Sequence, residues 1–176
     1  MEKTTKIVLD ADVIIHFIEG ECFSLIFDIF PEYDFIILDV VYDELSKNRN
    51  TKFQIDNTLH FLRTKFSLIQ FLPKGQSREE YARLRSILQL GKGESACMVY
   101  CRDNQDVLGS SNLSDIKQYC RQNQITYLTT LDFLYYAFVR GKMTAQGVAE
   151  FIEKVISNGS IIPQIEITTY TPTCQI

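Results

Sequence analysis

The chain has 176 residues, of which 45% are hydrophobic and 23% charged, and it carries a net charge of −4. That balance excludes a disordered or fibrous chain and fits a single globular domain with one substantial core. The longest apolar runs are too short to span a bilayer, and MEKTTK leads into a strand instead of a signal-peptide core, so a cytoplasmic location is the default expectation.

Residues 7–9 form an apolar, β-branched run that reads as a buried strand, ending at Asp10 with Asp12 two positions on. A carboxylate there lies where open α/β sheets form their ligand crevices. Residues 13–19 read as a short helix, Gly20 as punctuation and 22–30 as a second helix closed by Pro31. Residues 33–38 (YDFIIL) are a second strand, after which Asp39 can cap a helix running to about Ser46. A helix is expected over 53–66, a strand over 67–72 and a turn over 73–77. A basic amphipathic helix follows over 78–90, then Gly91, Lys92 and Gly93, and a helix over 94–102.

VLG inside 106–110 is a short strand, 113–122 a helix and 125–128 a fifth strand. Two helices, 131–140 and 144–156, flank Gly141. Strands alternating with helices predict parallel βαβ units in a three-layer α/β/α sandwich with a mainly parallel central sheet. The expected domain covers residues 1–157, and 158–176 is a tail or docking arm.

The five cysteines, Cys22, Cys97, Cys101, Cys120 and Cys174, are odd in number and lack C-x-x-C spacing. With only His16 and His60 for company, they read as buried thiols of a reducing compartment, not as zinc ligands or nucleophiles. His16, on a largely apolar helix, reads as a core or boundary residue.

Charge is unevenly spread. Residues 1–46 carry 2 basic and 11 acidic side chains, residues 47–92 carry 10 and 3, and the remainder 6 and 8. An acidic segment beside a basic one suits a metal-dependent phosphodiesterase, with carboxylates for the cation and cations for the substrate backbone. Solvated basic helix faces would give the same pattern.

Four places put acids or their amides at element boundaries: Asp10, Glu44, Glu94, and the segment SSNLSD with Asn112 and Asp115. Each has an ordinary reading alone. Glu94 favours a helix dipole, and Asn112 with Asp115 is nearly a capping box. Together, LDADVIIHF, VVYDEL, GKGESACM and the small-residue turn after VLG resemble the PIN domain family, over roughly residues 6–157. TLDFLYYAFVRGKMT is similar to one subgroup of it.

The resemblance implies a metal-dependent endoribonuclease acting on single-stranded RNA. Asp10, Glu44, Glu94 and Asp115 would be the acidic metal and catalytic cluster for Mg²⁺ or Mn²⁺. Hard cations take oxygen donors, and Mg²⁺ uses only one or two carboxylates directly. Asp12, Ser110, Ser111 and Asn112 would support it. The chain departs from the family at Asn112, where an acid is usual. Lys47, Arg49, Lys52, Arg78, Arg83, Arg85 and Lys92 would contact RNA. The resemblance further implies a toxin of a toxin–antitoxin pair, an antitoxin partner and a homodimer.

Two other readings stay open. The domain can be a non-catalytic RNA- or protein-binding module, since fold alone does not establish activity. LDADV also matches the D-x-D start of a haloacid-dehalogenase-like phosphatase with Asp10 as nucleophile, although its later lysine and acid pair are missing.

Overall fold

A computed structural model describes residues 4–176; the first three residues of the expected domain lie outside the described residues. Five strands, β1 (Lys6–Leu9), β2 (Asp34–Leu38), β3 (Phe66–Ile69), β4 (Val107–Gly109) and β5 (Tyr127–Leu128), form one sheet in the order β3-β2-β1-β4-β5. Every pairing is parallel, and Val8 of β1 lies between Ile36 and Leu108. Ile7, Val8 and Leu9 have no exposed surface, as a strand covered on both faces requires.

The nine helices of the described residues are α1 (Ala11–Glu19), α2 (Leu25–Ile29), α3 (Asp39–Leu45), α4 (Arg49–Phe61), α5 (Gln76–Ser86), α6 (Lys92–Asn104), α7 (Leu113–Asn123), α8 (Thr130–Val139) and α9 (Ala145–Ser157). They flank the sheet, with α6 packing between α5 and α7, and α9 packing on α1 and α8. The strand order reverses at β1, so the carboxyl ends of β1 and β4 lie side by side. Ligand crevices of doubly wound sheets open at such a point.

Several element boundaries differ from expectation. The second helix shrinks to α2, because Cys22–Ser24 is spent on turns. The helix expected over 53–66 starts at Arg49, where the Asn48 side chain accepts from the amides of Asn50 and Thr51 at 3.0 and 3.1 Å. It stops at Phe61. Phe66 instead opens β3 opposite Phe35, and its ring enters a cluster 4.9 Å from Phe27 and 6.1 Å from Phe23.

The basic helix ends at Ser86, because Gln89 takes a left-handed conformation (φ 56°) that turns the chain back toward Leu84. Asp39 lies inside α3. Its Oδ1 accepts from Val40 N at 2.9 Å and from Phe71 N at 3.0 Å, tying the segment after β3 to the α3 start.

Residues 158–176 form no strand and dock on α8. Ile162 and Ile167 are buried. Tyr170 Oη and Thr173 N donate to Asp132 Oδ1 at 2.9 and 2.7 Å, while Thr129 N and Thr129 Oγ1 donate to Asp132 Oδ2, each at 2.8 Å.

Gly20 ends α1 under the ring of Phe151 from α9, which also packs 5.1 Å from Phe17. A Cβ at Gly20 would lie 2.3 Å from Phe151 Cδ2 and Cε2. Gly20→Ala should therefore destabilise the fold by about 1–3 kcal/mol, the usual cost of overpacking a core. Urea denaturation should show that loss, and it should shrink in a Phe151→Leu background.

Candidate metal centre

Asp10 follows β1, and its N–H donates to Gly109 O at 2.8 Å, which fixes it beside the end of β4. Its Oδ1 accepts from Ala11 N at 2.8 Å, so the side chain caps α1. The residue is only 5% exposed. Burial, followed by repulsion from Asp12 and Glu94, pushes its carboxyl from the ordinary 3.8 up to about 8.

Asp12 is clamped by two amides, Val13 N to Oδ1 at 2.6 Å and Ser111 N to Oδ2 at 2.7 Å. Burial raises its carboxyl, and those amides work against the rise. Ser110 is fully buried nearby, and its Oγ has no hydrogen-bond partner among the described residues.

Glu94 stands in the first turn of α6, and its Oε1 is buried without a hydrogen-bond partner. Burial, then the charges of Asp115 and Asp12, lift its carboxyl from 4.5 to about 7. Gly93 lets α6 approach α3 closely. A Cβ there would lie 3.0 Å from Val41 Cγ2, 3.2 Å from Glu44 Oε2 and 3.7 Å from Asp10 Oδ1. Glu44 and Asp10 thus face one point from α3 and β1, with Glu44 exposed to solvent.

The fourth place is arranged differently from a capping box. Asn112 is the N-cap residue of α7, but its side chain makes no cap bond. Instead its Nδ2 donates to Asp115 Oδ2 at 2.7 Å, and Ser114 Oγ donates to Asn112 Oδ1 at 2.9 Å. The charge of Asp115 raises the Glu94 carboxyl.

The donor set is all oxygen, which suits Mg²⁺ or Mn²⁺. A divalent charge would relieve the repulsion between Asp10, Asp12 and Glu94 and give Glu94 Oε1 the partner it lacks. Among the described residues, no three His, Cys, Asp or Glu side chains converge tightly enough to enclose an ion. Mg²⁺ itself touches only one or two carboxylates directly and keeps several waters.

Behind Asp12 runs a chain of hydroxyls of which only Ser111 was expected. Ser111 Oγ accepts from Thr130 N at 2.8 Å and lies 2.8 Å from Thr130 Oγ1, which lies 2.8 Å from His16 Nδ1. Burial lowers the His16 pKa, favouring the neutral ring. The amide that holds Asp12 is therefore itself fixed by buried groups from α1 and α8. The sequence trace of Thr130 is that, like Ser111, it sits just past a strand end, where site residues gather. Gly93 was legible as part of GKGESACM, but its packing role was not.

The basic residues divide into three sets. Lys52 is bound to Asp56 at 2.5 Å and to Tyr42 Oη at 2.8 Å, and Arg83 forms a bidentate pair with Glu80. Arg49 and Arg78 are exposed at the starts of α4 and α5. Lys47, Arg85 and Lys92 instead line a cavity of about 640 Å³ whose wall includes Glu44.

The acids give a pH-dependent stability with a definite sign. Carboxyls raised in the folded state favour folding while protonated, so the metal-free protein should lose stability as pH climbs through about 7 and about 8. Melting curves at rising pH should show this decline. Mn²⁺ should reverse it at the alkaline end, and Asp10→Asn should weaken both effects while keeping the α1 cap. Asp12→Ala should cost about 10–100-fold in Mn²⁺ affinity, as loss of a supporting partner does.

No family model matches the chain, and no curated protein matches it. Solved structures do. A chain from VapBC2 of Rickettsia felis, bound to a DNA fragment from their promoter, superposes with a TM-score of 0.53 at 16% identity, covering 71% of this chain and 98% of that one. A chain from VapBC-1 of nontypeable Haemophilus influenzae gives a TM-score of 0.53 at 14% identity, covering 72% and 98%. With its parallel five-stranded sheet and flanking helices, the chain has a PIN-like fold.

Proposed function

We propose that this chain is a divalent-metal-dependent endoribonuclease that hydrolyses phosphodiester bonds of single-stranded RNA. The observation that carries the reading is the mutual repulsion of buried Asp10 and half-buried Glu94 at the strand-order reversal, with Glu94 Oε1 lacking a partner among the described residues. Asp10 and Glu94 would hold the Mg²⁺ or Mn²⁺ ion, with Glu44 and Asp115 at its periphery. When bound, the cation supplies Lewis-acid polarisation of the scissile phosphate and acidifies the attacking water.

The chain's own residues do the rest. The Ser111 and Val13 amides keep Asp12 oriented beside Asp10. Lys47 and Lys92, beside Glu44, offset the charge of the approaching RNA backbone. The VapBC likeness supports a role as the toxin of a toxin–antitoxin pair with a protein antitoxin, and a homodimer belongs to the same reading. No helix among the described residues is long and apolar enough to cross a membrane.

A second reading has its own support. Asn112 is neutral where the PIN family usually has an acid, and it binds the nearby Asp115 carboxylate, which suits a weakened, RNA-binding module. Incubation of single-stranded RNA with the protein and Mn²⁺ separates the two. The nuclease should cleave, lose cleavage in Asp10→Asn and Glu94→Gln, and still bind RNA. RNA binding without any cleavage by the unmodified protein would establish the module instead.

A further inference from the structure

The cavity beside Glu44 holds more than charge. Its wall combines Asp43 and Glu44 of α3 with Lys47 between α3 and α4, Tyr81 and Arg85 of α5, and Lys92 at the start of α6, and its volume of about 640 Å³ lies within the range of small-ligand pockets, about 300–1,000 Å³. Tyr81 is the one aromatic residue in that wall. Phe71 braces its ring edge-on, with centroids 5.3 Å apart. The Arg85 guanidinium is tethered by donation to Leu90 O, while Lys47 and Lys92 are exposed and make no ion pair among the described residues.

A braced aromatic ring among free cations, opening beside a metal-site carboxylate, is the arrangement that binds single-stranded nucleic acid. Cations follow the phosphates, and the ring stacks a base that is not already paired in a duplex. We propose that this cavity is a nucleotide subsite of the nuclease. Tyr81 stacks a base of the RNA strand next to the scissile bond, and Lys47 and Lys92 hold the flanking phosphates. The wall contains no side-chain amide of the kind that reads an adenine edge, so the contact tolerates base identity and sets position more than sequence.

This inference rests on the nuclease reading, and its test separates the two. Binding of a fluorescent single-stranded oligoribonucleotide is measured by anisotropy in EDTA, where no cleavage occurs, for the unmodified protein, Tyr81→Leu and Tyr81→Phe. Tyr81→Leu keeps an apolar contact for Phe71 but removes the π-face. It should raise Kd about 5- to 150-fold with an unchanged salt slope, whereas Tyr81→Phe should bind normally. Lys47→Gln with Lys92→Gln should instead flatten the salt slope.

One abasic position in the RNA should weaken the unmodified protein and leave Tyr81→Leu indifferent. Equal binding by Tyr81→Leu and the unmodified protein, with matching melting curves, overturns the subsite even if Mn²⁺-dependent cleavage is intact. The predicted Tyr81 effect in a protein that never cleaves RNA upholds the subsite and removes the nuclease reading. Failure of the unmodified protein to bind RNA overturns both.

Discussion

Asp10 is caught between two demands. The sheet needs β1 buried on both faces, and the reversal of strand order needs the chain to leave β1 beside β4, so the residue at that exit is desolvated whatever its chemistry. A carboxylate there destabilises the fold, and two further acids nearby make it worse. Nothing in the packing requires any of them to be acidic. The local structure absorbs part of the penalty with the Ala11, Val13 and Ser111 amides, and leaves the rest unrelieved.

That constraint also explains which parts of the site depend on distant residues. Asp12 is oriented by an amide from beyond β4, whose side chain is anchored by Thr130 and, one bond further, by His16. Glu44 comes near Asp10 because Gly93, the second residue of α6, lacks a side chain. A cluster of like charges is held together by neutral groups packed around it, since the charges themselves push apart.

The strands were legible in the sequence because short continuous apolar runs such as Ile7–Leu9 and Phe35–Leu38 have few alternatives in a parallel sheet. Phe66 misled, because Leu59, Leu62 and Phe66 also satisfy helical spacing, and only the contacts of its ring with Phe23 and Phe27 assign it to a strand. Asp10, Glu44 and Glu94 could be picked out by motif, but not their distances. Asn112 and Asp115 looked like a cap because residue types at helical spacing cannot show whether an amide turns to the backbone or to a neighbouring carboxylate. The basic segment was ambiguous for a related reason: Lys52 and Arg83 find their partners four and three residues away on their own helices, and Lys47 and Lys92 do not.

Asp132 ties the end of the chain to its middle. Its carboxylate has no exposed surface and accepts four hydrogen bonds, two from Thr129 and two from the segment after Ile167. Shortening the chain beyond α9 would halve that coordination and leave a buried acid facing solvent or void, at the helix that also carries Thr130. The last nineteen or so residues therefore work as a lid over a charge. Any length variation at this terminus is limited by what Asp132 tolerates, long before the sheet itself is threatened.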